Sequence, residues 1–112
     1  MRLKSEIWVH AFLRTQQAAG NYGAVIHKGA AEAGAIYVIV NHLDGTFHLF
    51  GPAPGPAYDD QGERRWTGEL TSPTTQDAID KLLDRRRSFD PDIWIVEVED
   101  RHGTAGLKAA TA

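Results

Sequence analysis

The sequence contains no cysteine among its 112 residues. This absence excludes disulfide bonds, thiol nucleophiles and metal sites with cysteine ligands, and it is compatible with a reducing compartment. Long apolar runs are missing as well. None approaches the roughly 18 residues of a membrane-spanning helix, and the N-terminus has no apolar stretch that ends at a small-residue cleavage site. We therefore expect a cytoplasmic protein that makes no membrane contact.

Basic charge is also scarce. Twelve lysines and arginines against fifteen aspartates and glutamates give a formal net charge of -3, whereas a nucleic-acid binder needs a concentrated basic face. The sequence thus argues against nucleic acid as a partner. Arg85, Arg86 and Arg87 form a short basic run, but cations in the last turn of a helix are what the helix dipole favours.

Several motifs that carry known chemistry are absent. The chain has no P-loop, no G-x-G-x-x-G, no H-E-x-x-H and no G-x-S-x-G, so it lacks the usual signatures of nucleotide hydrolysis, dinucleotide binding, zinc proteolysis and serine hydrolysis. Asp92, Glu97 and Glu99 resemble the acidic metal ligands of restriction-type nucleases only superficially, because Asp92 and Glu97 lie too close along the chain for a turn to separate them. We expect no metal and no cofactor, and the sequence does not decide whether the protein is an enzyme.

The residues that are present suffice for one domain. A composition of 42% hydrophobic and 24% charged residues is ordinary for a globular protein, and a chain of this length buries a core without metal or disulfide support. We assign residues 1–103 to a single α+β domain and residues 104–112 to a short return or a frayed tail. The predicted domain has two helices and a mainly antiparallel sheet of about five strands.

Two segments have the periodicity of helices. In the first, Ser5 can cap a helix with Glu6 in its first turn, and apolar residues recur every three or four positions until Gly20 ends the pattern. The alternation over residues 3–9 also permits a short lead-in strand, and both alternatives remain open. The second helix is predicted from about Thr75 to Phe89. Two alternative caps are predicted for its start. One is Ser72 with Pro73 at the first helical position, and the other is Thr74 with Asp77 three residues later.

Five segments have the composition of β-strands. Asp44 and Gly45 form a turn signal, because glycine tolerates the positive φ of a type I′ turn, and the strands on either side of them are predicted to form a meander. The strand before this turn is predicted to pair with the first strand as a hairpin. The five segments are 24–29, 35–43, 46–51, 64–70 and 93–100.

The turn at Asp44 and Gly45 determines the predicted faces of the sheet. A two-residue loop would place His42 opposite Phe47, and it would place His48 on the other face from His42. No metal ion could then bind both histidines. One face is predicted to be the core and carries Ile36, Val38, Val40, His42, Phe47 and Leu49.

The segment FGPAPGPAYDD, residues 50–60, is the least regular part of the sequence. Its prolines lack amide donors and keep the chain extended, and a loop over residues 51–63 is long for so small a domain. The loop is either a solvated connector or, if it folds back on the sheet, one wall of a polar pocket. The candidate ligand-binding or partner-binding residues are His48, Phe50, Tyr58, Asp59, Asp60, Arg64, Arg65 and Trp66.

The sequence resembles a small family of stand-alone bacterial proteins known only as a domain of unknown function. Four segments carry this resemblance: RLKSEIWVHAFLR, AGAIYVIVNHLDGT, LFGPAP and RRRSFDPDIWIVEVEDR. The resemblance extends from residue 2 to about residue 103 and implies a short, cytoplasmic, single-domain protein of bacterial origin. It brings no established activity, cofactor or catalytic residue.

These patterns favour a non-enzymatic protein that binds a protein partner or a small ligand. The alternative is an uncharacterised small enzyme that uses the 51–66 loop region with His48 as acid or base, since histidine titrates near neutral pH. A closed pocket lined by His48, Tyr58 and Arg65 would favour the enzyme. A flat apolar surface would favour a partner.

We also predict a homodimer, because both predicted sheet faces carry apolar residues and two helices on one face would leave the other uncovered. Phe50 is expected on that uncovered face with Tyr37, Ile39 and Leu43, so that Phe50→Asp would split the dimer without unfolding the chain. If the proline-rich loop and the tail cover this face instead, the protein is a monomer.

Overall fold

The computed structural model describes residues 3–110, which form two helices and one five-stranded sheet. The α+β class with a mainly antiparallel sheet is confirmed, since β2 and β5 form the one parallel pair within these residues. The helices are α1, Ser5–Ala18, and α2, Gln76–Phe89. The strands are β1, Gly23–His27; β2, Ile36–Asn41; β3, Phe47–Pro52; β4, Trp66–Thr74; and β5, Trp94–Glu99.

The order of strands in the sheet is β1-β5-β2-β3-β4, so the predicted hairpin between β1 and β2 is wrong. Strand β5 lies between them, antiparallel to β1 and parallel to β2. Strand β5 is central because its residues are apolar on both faces. Trp94, Ile95 and Val96 are consecutive and all buried, as is typical of an interior strand of a sheet that is covered on both sides. Strand β1 is only partly buried and occupies an edge.

The connection between β1 and β2 wraps around the start of β5. The amide of Ala30 donates to the carbonyl of Asp92 at 2.9 Å, and the Trp94 indole Nε1 donates to the carbonyl of Ala30 at 2.8 Å. Gly29 allows this close approach, because a Cβ atom built there would lie 2.2 Å from the carbonyl oxygen of Asp92. A local hairpin is thus replaced by contacts to a strand far along the chain.

The turn between β2 and β3 is longer than two residues, and the predicted register is wrong by one position. Asn41 pairs with Phe47 and Val40 with His48, while the amide of His42 donates to the carbonyl of Thr46 at 3.1 Å. The carboxylate of Asp44 accepts bonds from both the amide and the hydroxyl of Thr46, at 2.9 and 2.6 Å. The loop is therefore longer than the two-residue loop predicted from Asp44 and Gly45. A shift of one residue in the register moves every side chain of a strand to the other face of the sheet.

Each face of the sheet is covered by one helix, which gives two separate hydrophobic cores. Helix α1 packs on the first face through Val9 and Phe12. Helix α2 packs on the second face through Ile79, Leu82 and Leu83. The first core also contains Ile36, Val38, Val40, Phe50, Trp66, Trp94, Val96, Val98, Ala105 and Leu107, and the second contains Tyr37, Ile39, Phe47, Leu49, Ile93 and Ile95.

This arrangement corrects two expectations about the sheet faces. Phe47 and Leu49 lie on the α2 side, whereas Phe50 lies on the α1 side and is only 4% exposed. Phe50 is therefore a core residue and cannot be the surface contact of a dimer. Because both faces are covered, an uncovered face no longer argues for a homodimer, which stays a prediction.

The two helix starts also differ from the sequence-based caps. Ser5 is buried inside α1, where its hydroxyl donates to the carbonyl of Gly34 at 2.6 Å. Lys4 occupies the cap position without a side-chain bond, and no lead-in strand is present over residues 3–4. In α2 the cap is Thr75, whose hydroxyl accepts from the amide of Ala78 at 3.2 Å, while residues 72–74 belong to β4.

Candidate ligand-binding site

The loop that joins β3 to β4 is an ordered extension of the sheet. The guanidinium of Arg65 donates to the carbonyls of Pro54 and Pro56 at 2.9 and 2.8 Å. Prolines supply carbonyl acceptors without amide donors, so this arginine closes the proline-rich segment on itself. The Asp59 carboxylate accepts from the amides at positions 61 and 63, which closes the turn at the far end. The far end of the loop is thereby fixed next to α1.

A cleft of about 480 Å³ lies between α1, this loop and the C-terminal segment. Its size is within the range of small-molecule sites. The C-terminal segment forms one wall because Ala105 and Leu107 are buried and the amide of Ala110 donates to the carbonyl of Trp66 at 2.7 Å. The cleft is lined by Leu3, Trp8, Ala11, Phe12, Thr15, Gln16, Tyr58, Gln61, Gly62, Glu63, Arg64, Ala105, Gly106 and Leu107.

The apolar part of the cleft is built around Trp8. Its ring stacks on Phe12 with centroids 4.8 Å apart, and it meets Trp66 at 5.2 Å in a tilted arrangement. Position 8 precedes the buried Val9 on α1, and the indole is only partly buried. The exposed part of this indole gives the cleft an aromatic surface.

Arg64 supplies the positive charge of the cleft. Its guanidinium carbon lies 5.8 Å from the ring centroid of Trp8 and 5.5 Å from that of Tyr58, which is cation–π distance for both rings. Its Nη2 makes one long bond, 3.4 Å, to the carbonyl of Leu3. Its Nε atom is buried and has no hydrogen-bond partner in the described part of the chain.

The charge on Arg64 is not balanced by a nearby carboxylate. Within residues 3–110, no aspartate or glutamate oxygen lies within 4.0 Å of this guanidinium. Burial lowers the pKa of Arg64, and Tyr58 partly opposes that effect. A guanidinium nevertheless stays protonated at neutral pH. The cleft therefore contains a partly desolvated cation with unused hydrogen-bonding capacity.

Gln16 is the main polar residue of the cleft that is already engaged. It is 5% exposed, its side-chain amide donates to the carbonyl of Ala105 at 2.9 Å, and its oxygen accepts from Asn21 at 3.0 Å. These bonds connect α1 to the C-terminal segment. Gln16 thus holds the wall of the cleft in place.

The structure brings together only some of the predicted site residues. Tyr58 and Arg64 line the cleft, and Trp66 packs beneath it against Trp8. Asp59, Asp60 and Arg65 instead border a shallow depression on the loop itself. Phe50 is in the core and His48 does not line the cleft.

The pocket of His48, Tyr58 and Arg65 that would favour an enzyme is therefore not formed. Trp8, Phe12 and Gln16 lie in the cleft but were not predicted, since α1 showed only the periodicity of a core helix. The buried Leu107 was missed because its surroundings in sequence are small residues.

His42 and His48 lie on the same face of the sheet, contrary to the prediction. The Nε2 atom of His42 lies 2.8 Å from Nδ1 of His48, and Nδ1 of His42 lies 2.8 Å from the carbonyl oxygen of Asp100. A carbonyl only accepts, so His42 carries its proton on Nδ1 and accepts at Nε2 when neutral. His48 then donates from Nδ1. No group of three or more histidine, aspartate or glutamate side chains that could hold a metal ion occurs over residues 3–110.

The histidine pair predicts a pH-dependent stability. Burial, and secondly the charge of His42, lower the pKa of His48 below its ordinary value. The folded chain thus favours neutral His48, and this contribution to stability is present above about pH 6.5 and is lost as the pH falls through the lowered pKa. We expect the urea midpoint of the wild type to fall more between about pH 7.5 and about pH 5.5 than that of His48→Gln. Equal losses in the two proteins would contradict this assignment.

The sequence matches DUF1491, described as a protein of unknown function, over residues 3–108. The chain belongs to the DUF1491 family. Neither helix of the described chain is long and apolar enough to cross a membrane. Among curated proteins, none matches the sequence.

Solved structures of bacterial proteins have the same fold. A protein of Agrobacterium tumefaciens, solved in solution, is 43% identical, with a TM-score of 0.80 over 98% of this chain and 100% of its own. A DUF1491 family protein from Caulobacter crescentus, solved by crystallography, is 37% identical, with a TM-score of 0.78 over 96% of both chains. A DUF1491 family protein from the same organism, solved by NMR, is 37% identical, with a TM-score of 0.76 over 97% of this chain and 96% of its own.

Proposed function

We propose that the protein is a non-enzymatic binding protein for a small anionic molecule with an apolar, preferably aromatic, body. The observation that carries this proposal is the Arg64 guanidinium, which lines a cleft between two aromatic rings, has no carboxylate partner among residues 3–110, and keeps a buried Nε without an acceptor. Because the Nε atom is buried, a ligand in the cleft would contact the Nη groups of the same guanidinium, whose one hydrogen bond within residues 3–110 is the long one to the carbonyl of Leu3. An anion that supplies acceptors to these Nη donors would form charge-assisted hydrogen bonds.

The chemistry of Arg64 defines the anionic group. A guanidinium presents its donors in a planar fork that matches carboxylate and phosphate oxygens. Both anions are compatible with this cleft, and a bond to a charged group contributes about 1.5–3 kcal/mol. The rings of Trp8 and Phe12 lie close by and offer a surface for the apolar body of the ligand. The cleft therefore suits small aromatic acids and aryl phosphates.

The proposal favours binding over catalysis because the histidines are placed away from the cleft. His48 does not line it, and His42 is engaged with Asp100 and His48. Glu63 is the carboxylate that borders the cleft, at an exposed loop position. An acid–base pair aimed at a shared position in the cleft would be expected of an enzyme, and the groups that line it do not suggest one.

Calorimetric titration with matched probes tests the proposal. We expect phenylacetate and phenyl phosphate to bind with dissociation constants of about 0.1–1 mM, and the neutral phenylacetamide to bind at least about tenfold more weakly. Arg64→Gln should weaken the two anions about tenfold or more and leave the amide unchanged, because the variant loses the charged bond alone. The relative strengths of the two anions distinguish a carboxylate ligand from a phosphate ligand.

The control for this titration is Arg85→Gln. Arg85 is an exposed arginine on α2, which covers the opposite face of the sheet. Its replacement changes the net charge by the same amount, so the control should bind the anions like the wild type. If both variants lose the same affinity, a general electrostatic effect explains the binding. If the anions and the amide bind equally, the proposed role of Arg64 is refuted.

Cytoplasmic location and homodimer formation are part of the same proposal. The cysteine-free composition is compatible with a reducing compartment, and fractionation of cells that express a tagged chain tests the location. Support for self-association comes from a group of exposed apolar side chains close together in sequence, since three of the eight large apolar residues that are exposed in the described chain fall within residues 22–26. Such clusters commonly mark interaction sites.

A further inference from the structure

We infer that two copies of the chain pair through the outer edge of β1, in an antiparallel two-fold arrangement that joins their sheets. This inference rests on the proposed homodimer and specifies its surface. Strand β1 is an edge strand of the sheet and pairs only with β5 in the described chain. The ligand cleft does not include residues of β1, so the two proposals involve different parts of the molecule.

The backbone of β1 presents unused hydrogen-bonding groups at two positions. The amide of Glu99 donates to the carbonyl of Tyr22, which directs the backbone groups of Tyr22 toward β5. Backbone groups alternate in direction along an antiparallel strand, so those of Ala24 also face β5 and those of Gly23 and Val25 face outward. A second β-strand would pair with these outward groups.

The side chains around this edge are unusually exposed for their type. Tyr22 is 68% exposed, Ile26 is 59% exposed and Val25 is 36% exposed. Ile26 also lines a groove of about 340 Å³ between α2 and the second sheet face, to which Ile39 and Ile95 contribute. Water is in contact with this surface in the monomer. Burial of these side chains would favour association.

The opposite edge of the sheet lacks this combination. Strand β4 has Leu70 at a φ of 68° and contains Pro73, and its start is covered by the bridge between Trp66 and Ala109. Proline and irregular backbone discourage pairing at an edge. Strand β1 contains neither proline nor lysine, and its one irregularity lies between Val25 and His27, after the outward groups.

One two-fold register pairs the outward-facing residues of β1 with each other. If the axis passes between the two Ala24 residues, Gly23 of each copy exchanges two backbone bonds with Val25 of the other. The same register brings Tyr22 near Ile26 of the second copy, which lies at the irregularity between Val25 and His27, and these two are the most exposed apolar side chains of the edge. A strand pair this short buries less than the roughly 1,200 Å² of a stable interface. The dimer should therefore be weak and concentration-dependent.

Sedimentation velocity on the full chain and on single variants tests this surface. We expect the wild-type mass to rise from 12.3 kDa toward twice that value as the concentration increases from about 10 µM to about 1 mM. Ile26→Lys should raise the dissociation constant at least about tenfold, because a charged edge residue opposes strand pairing. Val25→Pro removes an outward amide without removing a bond to β5 and should have the same effect. Phe89→Lys replaces another exposed apolar residue, 89% exposed, and should leave association unchanged.

The possible results test the β1 surface and the existence of the homodimer separately. A wild-type mass that stays at one chain over the whole concentration range refutes both. A dimer that Ile26→Lys and Val25→Pro leave intact refutes the β1 surface alone, provided that each variant gives a dispersed amide NMR spectrum. Arg64→Gln should dimerise like the wild type, so a failure of the ligand proposal would leave this result unaffected.

Discussion

Phe50→Asp should unfold the protein. Phe50 is 4% exposed and pairs with Val38 and Gly68 inside the sheet, in the core under α1. Loss of a buried phenylalanine ring costs about 3–5 kcal/mol, and burial of a carboxylate adds a further cost. The sum is comparable to the whole stability of a small domain, about 5–15 kcal/mol. We expect the variant to lose its dispersed amide spectrum and its cooperative urea transition.

The matched control for this change is Phe89→Asp. Phe89 is the same residue type, ends α2 and is 89% exposed. A surface substitution of this kind changes stability by about 0.5 kcal/mol or less, so the control should unfold at nearly the wild-type urea concentration. A Phe50→Asp variant that remains folded with a stability near that of the control would contradict the assignment of Phe50 to the core and would restore it as a surface residue.

Gly29→Ala should be the most destabilising single-methyl change in the chain. The added Cβ would lie 2.2 Å from the carbonyl oxygen of Asp92 and 2.6 Å from the carbonyl carbon of Ile93, and both are backbone atoms that cannot rotate away. Relief of the clash separates the 28–35 connection from the start of β5. The bonds between Ala30 and Asp92 and between Trp94 and Ala30 would then lengthen or break. We expect a loss of about 3 kcal/mol from overpacking and these bonds together.

Gly68→Ala provides the comparison for this prediction. Gly68 lies in β4, and a Cβ built there meets no heavy atom within 4 Å. Its replacement should change the free energy of unfolding by about 0.5 kcal/mol or less. Urea denaturation of the two variants measures the difference directly. If both alanine variants have the same stability, the connection does not pack on β5 as described.

The local elements of the fold were predictable from the sequence because their signals are local. The spacing of Val9 and Phe12 marks α1, the stripe of Ile79, Leu82 and Leu83 marks α2, and the run from Trp94 to Val98 marks β5. Helix periodicity and strand composition depend on a few neighbouring residues. These predictions are confirmed for both helices and for all five strands, with boundaries that differ by a few residues.

The arrangement of these elements was not predictable from the same signals. Nothing near β1 indicates that β5, about 70 residues later, will pair with it. The Asp44-Gly45 dipeptide indicated a two-residue turn, whereas Thr46 and Asn41 supply bonds that stabilise a longer one. That one-residue difference moved Phe50 into the first core and brought His42 and His48 together. Register is a property of paired strands and depends on contacts that a single segment does not reveal.

One wall of the candidate site was predictable from the sequence, and the other was not. The mixture of aromatic and charged residues at the end of the proline-rich loop identified Tyr58 and Arg64. The other wall comes from α1 and from Leu107, where the sequence shows only an amphipathic helix and a small-residue tail. The β3–β4 loop and the C-terminal segment meet α1 around Trp8 only in the folded chain, so no local sequence pattern indicates this contact. The absence of a carboxylate beside Arg64, over the described residues, emerges only from the folded structure.

The central claim is that the guanidinium of Arg64 binds the anionic group of a ligand, and its own Nε–H signal in a ¹⁵N NMR spectrum tests this most directly. The signal can be assigned by its loss in Arg64→Gln and followed during titration with phenyl phosphate and, separately, with phenylacetamide. We expect the Nε–H signal to shift in proportion to anion binding and to remain unchanged with the amide, because only the anion offers a strong acceptor to the Nη donors, and the charge of the guanidinium is delocalised over Nε as well. An Arg64 signal that does not move while phenyl phosphate binds elsewhere on the protein would contradict the account.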